Sequence, residues 1–245
     1  MSAPEGTVLP LTAFKNGVIA CAPTILGYWC IGFACGAIGI ISGFSLSAEM
    51  ALTVFLYAGG AHFLFYSLWL AGAETLAIVT GVFLINVRYV LMSSYLARFF
   101  KGTLLWERFI HGALLTDETF GVAVQQAREK GVLGFWWFFG LNLSAYLNWV
   151  IANFVGCLFA RLIPVQFSQG LMFSLTAMFI GLLTLNYFGS SYKKYEILAV
   201  ILSCALFSLG LLFVNANVSL LLATLGATSL VTAFFTKRVQ GSAVL

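Results

Sequence analysis

The chain is short of charge, proline and histidine. Of its 245 residues only 8% are Asp, Glu, Lys or Arg, with four prolines and two histidines. A soluble domain carries about 25% charged residues. Here 61% of the residues are hydrophobic and 24 are phenylalanine, more apolar surface than a chain of this size can hide from water. The solvent for most of it is therefore lipid. The net charge of +4 gathers at segment ends, which suits an anionic lipid surface, and no basic stripe or motif points to nucleic acid. The five cysteines (Cys21, Cys30, Cys35, Cys157, Cys204) are odd in number and lack C-x-x-C spacing. That argues against a disulfide framework and a zinc site, and leaves them as small packing residues. There is no H-E-x-x-H, no G-x-S-x-G and no pair of carboxylates in the middle of an apolar segment. No enzyme, cofactor or metal site is expected on these grounds.

What is present is a series of long apolar runs. The run from Glu74 to Arg98 carries Asn86 and Arg88 inside it. Arg88 lies ten residues before Arg98, about 15 Å along a helix and half of a roughly 30 Å hydrocarbon core. An arginine there costs about 2.5–3.5 kcal/mol on insertion scales. It must meet protein, water or a counter-charge. Either it snorkels or clamps two helices, or it lines a polar pathway.

The first run, Phe14 to Phe44, is longer than one span needs. Pro23 removes a donor and Gly27 follows one turn later, so a broken first helix is expected, with halves near 13–23 and 27–42. Such a break is a simple kink or a discontinuous helix facing a substrate. A second span runs from Glu49 to Leu70, with His62 near its middle beyond the small residues Ala58 to Ala61. His62 is either a buried neutral histidine or a titrating group in the pathway. Residues 101–131 hold a large share of the charges. Glu107, His111, Glu118, Gln125 and Glu129 recur at helical intervals, which predicts an amphipathic helix or helix pair linking two halves. Asp117 and Glu118 there either start a solvated helix after Thr116 or meet Arg88 or a proton. From Gly131 to Arg161, Asn142, Tyr146, Trp149 and Asn153 share one helix face, for helix contacts or for a cavity. Pro164 ends that element, and further spans are expected near 167–188, 195–214 and 217–236.

This is an all-α polytopic membrane helix bundle, expected to form a single domain over 1–245 with about seven spans. The basic residues at 98–130, 189–194 and 237–238 then share the cytoplasmic face. At an offset of 120, Trp29 aligns with Trp149, Ile31 with Ile151 and Gly36 with Gly156. That is consistent with an inverted repeat of 14–100 and 132–214.

Several stretches resemble one family. Asn86-Val87-Arg88-Tyr89 resembles the N/D-x-R-H element of the AzlC (YgaZ-type) branched-chain amino acid permeases. Leu114-Leu115-Thr116-Asp117-Glu118-Thr119-Phe120 is similar to its L-T-D-E-x-F element, and Tyr57-Ala58-Gly59-Gly60-Ala61-His62-Phe63 to its Y/F-A-G-A-x-Q-F element. Pro23 with Gly27-Tyr28 resembles the start of its first span. The chain departs from the pattern at His62, where glutamine is usual, and at Tyr89, where histidine is usual. The resemblance implies a multi-pass protein of the bacterial cytoplasmic membrane. It implies export of valine, leucine, isoleucine and in some members methionine, beside a small AzlD-type hydrophobic membrane subunit. A carrier or channel for another small neutral or zwitterionic solute is the alternative. Asn86, Arg88, Asp117 and Glu118 are the positions carried over first. Physically, a zwitterion needs a partner for its carboxylate (Arg88 or a half-helix N-terminus) and one for its ammonium group (Asn86 or carbonyls near Pro23). The candidate substrate-binding residues are Pro23, Gly27, His62, Asn86, Arg88 and Asn153. Those for proton coupling or gating are His62, Asp117 and Glu118.

Overall fold

A computed structural model describes residues 10–100, 102–162, 192–214 and 216–242, with isolated positions between 173 and 188. Every regular element among the described residues is helical. The chain divides into two units, Met1–Met178 and Phe179–Leu245.

In the first unit, α1 (Pro10–Ala20) and α2 (Ala22–Ile41) are separated by Cys21 alone. The expected gap between residues 23 and 27 is absent. Pro23 falls in the first turn of α2, where the missing amide would have had no partner anyway. The Cys21 amide still bonds to the Gly17 carbonyl at 3.2 Å. The first segment is kinked, not opened. It runs beside α9 (Phe135–Phe159) in the same direction. Phe14 meets Phe139 at one end, the rings tilted with centroids 6.0 Å apart, Trp29 Nε1 donates to Asn148 Oδ1 at 3.0 Å, and Gly36 lies against Asn153 farther on. The contact is backbone on backbone. A Cβ on Gly36 would sit 2.0 Å from the Asn153 carbonyl oxygen, and one on Gly156 2.1 Å from that of Phe33. Segments aligned at an offset of 120 thus run parallel, which contradicts the opposite orientations of the expected inverted repeat.

The second segment is not one span. α3 (Leu46–Phe55) and α4 (Gly59–Leu70) form a hairpin around Leu56-Tyr57-Ala58. α3 runs back along α2 and α9: Glu49 lies on Gly39, and the Thr53 carbonyl accepts from Trp149 Nε1 at 3.2 Å. α4 then returns. Gly59 lies against Ile31, Tyr66 Oη donates to Glu49 Oε1, and the Phe44 and Trp69 rings are 5.1 Å apart. Ala58, extended at φ −159° and ψ 105°, makes the turn, and Gly59-Gly60 opens the new helix without side-chain obstruction.

The third segment holds α5 (Thr75–Asn86) and α6 (Arg88–Ala97), interrupted at Val87. The linker is a second hairpin, α7 (Leu105–Ala113) and α8 (Asp117–Lys130). α7 runs back along α6, bringing Gly112 beside Ser93. α8 returns, with the Tyr95 and Phe120 rings 5.9 Å apart and the Leu133 amide donating to the Phe99 carbonyl at 3.0 Å. The single polar stripe expected over 107–129 does not form, because the turn at 114–116 resets the helix phase. Glu107 caps α7 through the Leu104 amide at 2.7 Å, while His111 is buried beside Phe100 and Phe138.

The two hairpins enter the first unit from opposite ends, α3–α4 where α2 finishes and α7–α8 where α6 finishes and α9 begins. Three helical stretches among the described residues are long and apolar enough to cross a membrane: Ala22–Ile41, Thr75–Ala97 and Phe135–Phe159. These residues alone do not establish a count of seven spans. One of the expected spans, 49–70, is a hairpin, and most of the run at 167–188, with Pro164, lies outside the described residues.

In the second unit, α10 (Lys193–Gly210) and α11 (Ala216–Ser242) pack antiparallel. Ser219 Oγ donates to the Phe207 carbonyl at 2.7 Å, and Gly226 lies against Leu206.

Candidate functional site

The hairpin turns and the α5–α6 interruption converge on one cavity. Tyr28, Ile31, Tyr57, Gly59, Gly60, Tyr89, Thr116, Asp117, Glu118 and Trp149 are among its lining residues. Its volume is about 20 Å³, on the scale of bound water. Freed backbone groups at mid-depth are tolerated only where protein or a cavity satisfies them, and both turns meet that condition. The Thr116 amide donates to Thr119 Oγ1 at 3.0 Å and the Thr119 amide to Thr116 Oγ1 at 3.3 Å, a reciprocal cap on α8. Thr116 Oγ1 also hydrogen-bonds Tyr28 Oη, tying the second hairpin to α2.

Arg88 meets its counter-charge at Asp117: Nη2 and Oδ2 are 2.9 Å apart, with the side chains 27% and 21% exposed. Arg88 Nη2 also donates to Tyr89 Oη at 3.4 Å. One carboxylate of the Asp117–Glu118 pair is thus matched by a guanidinium, and Glu118 stands beside it as a second carboxyl group in the first turn of α8. Across the cavity, α4 begins at Gly59 with no acidic residue in its first turn and no side-chain cap. The first amides of a helix have no intrahelical partner and carry the positive end of its dipole. The cavity therefore has an amide-rich wall, an acidic wall, and aromatic sides supplied by Tyr28, Tyr57 and Trp149.

Of the sequence candidates, Arg88, Asp117 and Glu118 come together here. Asn86 ends α5 beside them, its Oδ1 buried without a hydrogen bond among the described residues. The others do not reach the cavity. Pro23 is exposed and a Cβ on Gly27 would meet nothing; a proline in the first turn of a helix opens no polar gap. Asn153 lies at the α2–α9 crossing, where its Nδ2 donates within α9 to the Trp149 carbonyl at 2.9 Å and its Oδ1 is buried without a hydrogen bond among the described residues. His62 is wholly buried, stacked 5.6 Å from Tyr66 and 5.5 Å from Trp149. It lies behind Trp149, not in the cavity lining. The sequence reading missed Tyr28, Tyr57, Tyr89, Thr116 and Trp149 as lining residues. All but Trp149 lie within or beside the motif stretches, and Trp149 was on the face read as cavity-or-contact.

A helical membrane protein with a central polar site walled by two opposed hairpins is the class that fold and site define. The family described as AzlC protein matches residues 23–163, more than half of the chain. The chain belongs to the AzlC family, whose function class is membrane transport. It is 27% identical over 193 residues, 79% of this chain and 84% of the relative, to a protein of Helicobacter pylori 26695 named "Uncharacterized membrane protein". A protein of the same name from H. pylori J99 is 29% identical over 75% of this chain and 78% of its own. One from Haemophilus influenzae is 23% identical over 70% of each. No solved structure matches the chain.

Proposed function

We propose that the chain is a secondary transporter exporting valine, leucine, isoleucine and methionine across the bacterial cytoplasmic membrane, as the large subunit beside a small AzlD-type partner. It acts by alternating access, with no enzymatic step and no cofactor. The observation that carries the reading is that the uncapped N-terminus of α4 and the carboxylates of α8 line one small cavity. A zwitterion fits between them. Its carboxylate takes the amides at Gly59-Gly60, its ammonium group takes Glu118 with the Tyr hydroxyls, and an aliphatic side chain packs on Ile31 and Trp149. Arg88 is engaged by Asp117, so of the two carboxylate partners the sequence offered, Arg88 or a half-helix N-terminus, this reading takes the helix N-terminus and gives Arg88 a charge-balancing role. Opening of α3–α4 would expose the cavity to one side, and opening of α7–α8 to the other.

Efflux of leucine, isoleucine, valine and methionine from dipeptide-loaded cells tests this, with the chain expressed alone and with the small partner. Faster efflux than in cells without the chain, together with acceleration of labelled leucine uptake by preloaded unlabelled leucine, is expected. Efflux without such acceleration points to a channel, and no efflux of any of the four contradicts the substrate assignment.

A further inference from the structure

A second polar group lies away from the cavity, where α3 is pressed between α2, α4 and α9. Glu49 is fully buried, with 0% of its surface exposed. Its Oε1 accepts from Tyr66 Oη, while Oε2 has no hydrogen-bond partner among the described residues. The titratable groups facing it are Cys35 on α2, Cys157 on α9 and Tyr66 on α4, with His62 stacked behind Tyr66. None is a cation that offsets a carboxylate, and a buried carboxylate without one takes up a proton instead. A metal ion does not fit. A Cβ placed on Gly39 would lie 2.1 Å from Oε2 and 2.9 Å from Oε1, so the α2 backbone already covers both oxygens. A hard cation needs six or more oxygen ligands about it, whereas a proton needs one lone pair.

We propose that Glu49 is the proton-binding group of this transporter, a neutral acid while the α3–α4 hairpin is closed against Gly39. The Oε2–H bond breaks only when the hairpin parts from α2. The proton then passes to water at that end of the protein, leaving the carboxylate to be hydrated. Closing again requires a proton from water. Binding and release of one proton thereby accompany each opening of the hairpin that also walls the substrate cavity. The coupling rests on the transport reading above; the protonation does not.

Two measurements separate them. Infrared difference spectra of the purified protein near neutral pH report a protonated carboxylic acid directly. The expected result is a carboxylic C=O band in the wild type that is lost in Glu49→Gln and shifted in Glu49→Asp. Absence of the band from the wild type, or its persistence in Glu49→Gln, overturns the assignment. In vesicles carrying a pH dye, leucine-evoked proton movement is expected in the wild type, absent in Glu49→Gln and recovered in part by Glu49→Asp. Melting profiles confirm that both variants are folded. Proton movement in folded Glu49→Gln equal to that of the wild type overturns the coupling. A wild type that moves no leucine overturns the transport reading and the coupling with it, while the infrared band still decides whether Glu49 is neutral.

Discussion

The ion pair between Arg88 and Asp117 joins the interruption of α5–α6 to the tip of the second hairpin, and its removal one side at a time is a sharp test of the site. At 2.9 Å, with 27% and 21% of the side chains exposed, the pair lies between the surface and the buried limits. Exposed pairs contribute about 0–1 kcal/mol. Breaking a fully buried one costs about 3–5 kcal/mol, because a lone charge remains. A coupling of about 2 kcal/mol is the expected middle value. Arg88→Gln takes the guanidinium from Asp117, and Asp117→Asn takes the counter-charge from the Arg88 guanidinium, so each is expected to destabilise by about 2–3 kcal/mol. The double variant places two neutral amides together and loses no more than either single change. Thermal melting in detergent is the assay. With about 2–4 °C per kcal/mol for a chain of this size, each single variant melts roughly 4–12 °C lower and the double recovers part of that. Strict additivity within about 0.5 kcal/mol would refute a direct pair.

Three further outcomes follow from the packing. Gly36→Ala, whose Cβ would sit 2.0 Å from a carbonyl oxygen of α9, forces two helix backbones apart and is expected to destabilise by about 1–3 kcal/mol. Gly27→Ala, in the same helix with nothing within 4 Å, is expected to stabilise by about 0.4–1 kcal/mol and so raise the melting temperature slightly; equal effects from the two would contradict the α2–α9 crossing. Thr116→Ala removes the cap of α8 and the partner of Tyr28, a loss of about 1–2 kcal/mol together with faster exchange of the amides of the first turn of α8. Tyr66→Phe removes the donor to Glu49 and is expected to cost about 1–2 kcal/mol, read in the same melting assay.

The helical membrane class was legible from composition, and the Arg88–Asp117 meeting was one of the readings left open, because an arginine inside an apolar segment must find protein, water or a counter-charge. The hairpins were not legible. Residues 49–70 form one apolar run with no proline, and hydropathy records that a residue prefers lipid or protein, not that the chain turns back at Tyr57. Gly59-Gly60 was read as a packing surface, which it is, while its second effect of freeing the start of α4 depends on where the turn falls. Glu49 was read as a charge at a segment end. It does lie near the α2 end of the unit, but Tyr66 and Gly39 close over it, and that closure depends on the return of α4. Pro23 was overweighted because a proline breaks a helix interior and not a first turn. Three identities at an offset of 120 were read as opposite orientations, whereas Gly36 and Gly156 mark a parallel crossing.

The central claim is that opposite walls of one cavity hold the two charged ends of an amino acid. Quenching of tryptophan fluorescence, with Trp149 in the lining, measures binding of L-leucine and of 4-methylpentanoate, which lacks the ammonium group, to the wild type and to Glu118→Gln. A charge-assisted hydrogen bond contributes about 1.5–3 kcal/mol, so leucine is expected to bind the wild type at least about tenfold tighter than the variant, with 4-methylpentanoate nearly indifferent to the change. Leucine binding unaltered by Glu118→Gln would contradict the account.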